Sequence, residues 1–209
     1  MLASRSTFPM RSGRKLMNAK ALVTVLVAAA MFGCTPDWAK NGDAPVVLLM
    51  TAINDGAPLA SDVRLSNGTV CPDVVSLRLE NHFKNPSVTS TGFRHDFTVE
   101  RYEVRYFRSD GRNTEGVDVP YRISGNVAQE VLEESAAVLN VEVVRRQAKL
   151  ELPLSALAGG NPPVLTVFAE VTLHARTTTG QTTNPVSARL QIDFANFVDT
   201  ATECPKAGQ

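Results

Sequence analysis

Leu165-Thr166-Val167-Phe168-Ala169-Glu170-Val171-Thr172-Leu173-His174-Ala175 alternates apolar and polar side chains, with Phe168 the one exception. Successive side chains of a strand point to opposite faces, so this period of two predicts a half-buried strand. Leu165, Val167, Ala169, Val171, Leu173 and Ala175 line one face. Thr179-Gly180-Gln181 supplies a turn, and Val186, Ala188, Leu190, Ile192 and Phe194 form a returning face. Ser187, Arg189, Gln191 and Asp193 point the other way. Burying an apolar side chain is worth about 1.5–3 kcal/mol before chain entropy is subtracted. A hairpin with two such faces belongs at the centre of the fold.

The same period extends upstream. Val46–Ile53 is a nearly continuous apolar run, suited to a buried strand. Val75, Leu77 and Leu79 share a face, as do Phe97 and Val99. Tyr102, Val104 and Tyr106 continue that alternation one residue out of step, which predicts a β-bulge near Glu100–Arg101. Asp110-Gly111 is a turn signal. Val117–Ile123 reads as a short strand, irregular or at an edge because Pro120 lacks an N–H. Asn126–Ser135 reads either as one or two helical turns or as a polar segment between strands. Ala137–Arg145 and Ala148–Leu154 read as one broken strand or two, and Gly159–Pro163 as a loop. About seven strands separated by Gly, Pro and Asn turns predict an all-β, immunoglobulin-like antiparallel β-sandwich over residues 46–204. An up-and-down barrel stays open, because alternation does not set strand order.

The N-terminus has a different character. Arg5, Arg11, Arg14, Lys15 and Lys20 precede the apolar run Ala21–Phe32, with no acidic residue before Cys34. A basic segment, a short apolar segment and a small residue make an export signal, and Met17 is an alternative start. Twelve apolar residues fall short of the roughly 20 needed to span a bilayer. Ala28-Ala29-Ala30-Met31-Phe32-Gly33-Cys34 resembles the lipobox of bacterial lipoproteins. That resemblance implies cleavage after residue 33 and a diacylglycerol on the Cys34 sulfur. It also implies a membrane-held product, with Thr35 directing it to the periplasmic face of an outer membrane; an ordinary signal peptide is the alternative. Residues 1–33 are then the signal and 34–45 a polar tether. The coil span of such a tether is about 17–20 Å. Trp38, the single tryptophan, lies in it, either as an interfacial anchor or as a side chain on the domain edge. Residues 205–209 form a C-terminal tail.

The chain carries 21 basic and 21 acidic residues. Removal of the signal takes five basic residues and leaves 16 against 21, a net charge of −5. An acidic domain of this kind gives no electrostatic case for nucleic acid. Cys71 and Cys204 remain besides Cys34. In an oxidising compartment an even pair reads as a disulfide, and the sandwich topology places both at one end.

No constellation for catalysis or metal binding stands out, so no cofactor is expected. His82, His95 and His174 fit no ligand spacing, and His95-Asp96 is the only adjacent His–carboxylate pair. Glu133-Glu134 and Glu100 with Glu103 read as solvated carboxylates rather than a glycosidase pair. Arg101–Asn113 and Gly116–Tyr121 mix arginine with aromatics. This stretch is similar to a segment of bacterial lipoproteins that carry one sandwich domain, a resemblance that brings no activity with it. The expected function is a non-catalytic, lipid-anchored envelope domain with a structural or partner-binding role. Loops such as Lys84–Gly92 and Thr177–Thr183 would meet an envelope protein. The alternative is a carbohydrate- or peptidoglycan-binding module, which needs a row of exposed rings from Phe107, Tyr121 and Phe168. An unrecognised hydrolase, with a deep polar pocket, is the third reading.

Overall fold

The computed structural model describes residues 44–85, 87, 94–159, 163–183, 185–198 and 203–204. Eight strands run in the order β1 (Val46–Ile53), β2 (Leu59–Asp62), β3 (Asp73–Phe83), β4 (Phe97–Phe107), β5 (Ile123–Val131), β6 (Ala136–Val144), β7 (Leu165–Thr177) and β8 (Val186–Ala195). One short helix, α1 (Arg146–Leu150), follows β6. The strands form a β-sandwich of two sheets, ordered β1-β3-β6 and β2-β8-β7-β4-β5. Taking β1 and β2 as one strand that changes sheets, this is the immunoglobulin-like order.

β2 is the strand that the sequence reading lacked. It also breaks the all-antiparallel expectation, because it runs parallel to β8 from Leu59 beside Ile192 to Asp62 beside Ala195. The chain reaches it through a tight turn in which Asn54, Asp55 and Gly56 all have positive φ.

β7 lies between β4 and β8, with Leu173 beside Tyr102 and Val186. Its inward residues Val167, Ala169, Val171 and Leu173 are buried, together with Leu190, Ile192 and Phe194 of β8. Leu77 and Leu79 of β3 and Phe97 of β4 complete the middle of the core. The bulge falls where the alternation slips: β4 shifts register against both neighbours between Val99 and Arg101.

Three local expectations fail. Val117–Ile123 is not a strand. The Thr114 carbonyl accepts N–H bonds from Val117, Asp118 and Val119, and Gly116 sits at φ +76°, so the segment coils until Ile123. Asn126–Ser135 is not helical. Up to Val131 it belongs to β5, because pairing with β4 satisfies its backbone while Ile123 and Val131 reach the core. Ala148–Leu154 is not a strand either: α1 and a 3₁₀ turn at Leu154–Ala158 bury Lys149, Leu154 and Leu157. Part of the Gly159–Pro163 loop lies outside the described residues.

The register defines two poles. Val46 pairs with Phe83, and Phe97 pairs with Thr177 and Val131. The near pole therefore gathers the start of β1, the β3–β4 connection and the β5–β6 and β7–β8 turns. The far pole gathers the β4–β5 connection, α1 and the end of β8.

Candidate functional site

Cys34 and Trp38 lie outside the described residues. Cys71 and Cys204 form a disulfide at the far pole, with Cα atoms 5.4 Å apart. Cys71 precedes β3 and Cys204 follows β8, so the bond closes a loop of 133 residues. Cross-links over such loops stabilise a fold by about 2–4 kcal/mol, mainly by restricting the unfolded chain.

Beside it lies an ion pair that sequence reading missed. Lys149 Nζ donates to Asp73 Oδ1 at 2.9 Å and to the Asp62 carbonyl at 2.7 Å. Ser61 Oγ donates to the other Asp73 oxygen at 2.6 Å. The Lys149 side chain is 1 % exposed. Burial pushes the Asp73 carboxyl above the usual carboxylate range, against the opposing pull of Lys149 and Ser61. The three residues join β2, β3 and α1. Nearby, the buried Tyr106 hydroxyl donates to the Val143 carbonyl, and burial raises it well above an ordinary phenol. Ser61 itself is fully buried.

At the near pole the acidic residues bind backbone. The His95 N–H donates to Glu133 Oε2 at 2.9 Å, and the Glu133 N–H donates to Asp96 Oδ1 at 2.8 Å. The Phe83 N–H donates to Glu134 Oε1 at 2.7 Å. Asp96 also meets Arg94 rather than the His95 ring, which packs edge-on against Phe83. His95-Asp96 is thus a sequence neighbourhood and not a catalytic dyad. His82 pairs with Glu80 at 3.1 Å and Glu134 at 3.8 Å; the Glu80 hydrogen bond chiefly raises its pKa, against desolvation. His174 faces Glu103, and Glu100 faces Arg176. His95 Nδ1 and His174 Nε2 are buried without a hydrogen-bond partner, and among the described residues no group of three or more His, Cys, Asp or Glu is placed to hold a metal.

The aromatic candidates divide. Phe107 and Phe168 stack with centroids 6.1 Å apart on the outer face of the five-stranded sheet, and the Arg189 guanidinium lies 4.7 Å over Phe107. Tyr121 sits in the β4–β5 connection with its ring against Gly116, where any Cβ would collide with it. Phe107 and Phe168 share one stack, and Tyr121 packs on Gly116.

No family model matches the chain, and no curated protein matches it. Among solved structures it is similar to an X-ray structure of Northeast Structural Genomics Consortium target SoR45, at 8% identity and a TM-score of 0.30, over 72% of this chain and 82% of that one. It is also similar to the CooA pilin subunit from enterotoxigenic Escherichia coli, at 11% identity and a TM-score of 0.27, over 74% of this chain and 99% of that one. These likenesses are distant, and the fold rests on the strand order itself.

Proposed function

We propose that this protein is a lipid-anchored domain of the bacterial cell envelope, held by a diacylglycerol on Cys34 at the periplasmic face of the outer membrane. Its role is to bind a partner or to serve as structure, without catalysis. The observation that carries the reading is the Cys71–Cys204 disulfide. Such bonds persist in oxidising compartments, which accords with an export signal ahead of the domain. The side chains singled out in the sequence add support: Glu133 and Glu134 accept backbone N–H bonds, His174 faces Glu103, and Glu100 faces Arg176.

The far pole is a candidate surface for an envelope partner. It carries exposed apolar side chains, among them Val117, Tyr121, Leu150 and Leu152. Exposed apolar clusters commonly mark contact surfaces.

The test is metabolic labelling with a fatty-acid probe in cells expressing the wild type or Cys34→Ala. Label on the wild type alone is expected. Equal label on both proteins ends the lipoprotein reading.

A further inference from the structure

The sandwich has one closed flank and one open flank. On the closed flank, β1 leaves its sheet at Ile53 and the chain returns as β2 beside β8 in the other sheet. One length of chain thus borders both sheets. On the open flank lie β5 and β6, the outermost strands of the two sheets. Among the described residues no strand pairs with the outer edge of either.

Both strands are nine residues long. Neither contains lysine, arginine or proline, residues that natural edge strands use to prevent pairing, although β5 carries one extra residue against β4 between Asn126 and Gln129. The outward side chains are Ser124, Asn126, Ala128 and Glu130 on β5, and Ala136, Val138 and Asn140 on β6; Val138 is 61% exposed. At the far pole Arg145 Nη2 donates across the flank to the Ser124 carbonyl at 2.6 Å. Among the described residues no strand covers the stretch from Asn126 to Glu130, where Gln129 Nε2 donates to the Glu130 carbonyl. An open edge presents alternating N–H and C=O groups, which another extended backbone satisfies along its whole length.

We propose that a second copy of this chain covers both edges at once, about a two-fold axis parallel to the strands. β5 runs toward the near pole and β6 runs away from it. Rotation about such an axis keeps every residue at its height and exchanges the two sheets. β5 of one copy then meets β6 of the other, antiparallel, and the same pairing repeats in the opposite sheet. The two-fold closes the assembly, because each copy uses the same two edges.

The register follows from Asn81, whose N–H donates to the Ser135 carbonyl and whose Nδ2 donates to the Val131 carbonyl, setting Val131 level with Ser135. Glu130 faces Ala136 of the second copy, Ala128 faces Val138, and Asn126 faces Asn140. On the inner face Val127 meets Leu139. Apolar side chains oppose apolar ones, amide opposes amide, and no like charges meet; cross-strand pairs of this kind are the unit of sheet stability. Self-pairing of β6 with β6 would instead set the two copies pole to opposite pole. The proposed two-fold brings both copies of residue 44 to one side, so it suits two chains anchored in one leaflet. It does not depend on the anchor.

The experiment uses the full chain, purified in detergent, with Ala128→Cys and Val138→Cys together and each alone. Facing Cβ atoms of a cross-strand pair lie about 4.5–5.5 Å apart, close enough for a disulfide after small adjustment. Mild oxidation is expected to give a reducible dimer from the double variant and none from either single variant. Dimer from Val138→Cys alone, or none from the double variant, overturns the proposal. In parallel, Ala128→Lys with Val138→Lys sets lysine against lysine twice across the axis. It should halve the sedimenting mass while leaving the circular dichroism unchanged, since both positions are exposed. A wild type that already sediments as a monomer also overturns the proposal.

Discussion

The two poles of the sandwich are held by opposite means. At the near pole, loops are tied down by carboxylates that accept backbone N–H bonds: Glu133 from His95, Asp96 from Glu133, Glu134 from Phe83. Of these, Asp96 is buried and Glu134 half-exposed. At the far pole, loops are tied by a covalent cross-link and by Lys149, Asp73 and Ser61; the Lys149 ammonium and Ser61 are buried, and the Asp73 side chain is 14% exposed. The near pole thus rests on carboxylate-to-backbone bonds and the far pole on a covalent bond and a buried ion pair.

The largest expected effect lies in the buried ion pair. Asp73→Asn leaves the Lys149 ammonium buried without its carboxylate, a change that costs about 3–5 kcal/mol in comparable sites. Urea unfolding at neutral pH measures it, and a loss below about 1 kcal/mol, as for a surface pair, would erase the contrast between the poles. Lys149→Met sharpens the point through pH. It leaves a buried carboxyl whose folded pKa stands above its unfolded value, so the penalty is full above the folded pKa. The penalty shrinks as pH falls through that pKa. An equal loss at pH 7 and in mild acid would show that Asp73 is not the group under strain.

Removing the disulfide comes next. Cys71→Ser with Cys204→Ser should lower stability by about 2–4 kcal/mol. Thermal unfolding of the variant beside oxidised wild type reads the difference. A thiol count on unfolded, unreduced wild type should find neither Cys71 nor Cys204 free.

The smallest effect belongs to the near pole. The Glu80 carboxylate holds His82 above the ordinary imidazole value of about 6.5. A histidine raised in the fold contributes stability below its unfolded pKa and loses it as pH rises through the folded one. Titration of the His82 ring by NMR should give a midpoint above that of Glu80→Gln; coincident midpoints would remove the pair from the account. The two poles would then respond in the same direction, the near one loosening as pH rises through the His82 midpoint and the far one, in Lys149→Met, loosening as pH rises through that of Asp73.

How much of this was legible depended on whether burial followed the side-chain period. β7 and β8 were readable because Val167, Val171, Leu173 and Ile192 are both apolar and buried. The slip between Val99 and Tyr102 marked the bulge for the same reason. Ala148–Leu154 misled because its pattern is inverted. Leu150 and Leu152 are 51% and 59% exposed, while Lys149 is 3% exposed. A lysine goes inside only when a carboxylate waits there, and no local pattern reports a partner at Asp73. β2 left no trace, since Leu59-Ala60-Ser61-Asp62 lacks alternation and is held by backbone pairing to β8. The disulfide was legible from cysteine parity and compartment alone.

The span between Cys71 and Cys204 has a consequence for proteolysis. A single cut anywhere from residue 72 to residue 203, the β3–β4 connection included, leaves two fragments still joined through sulfur. The severed piece cannot diffuse away until a reductant arrives, so a nicked copy would survive on a denaturing gel as one band and separate only after thiol treatment.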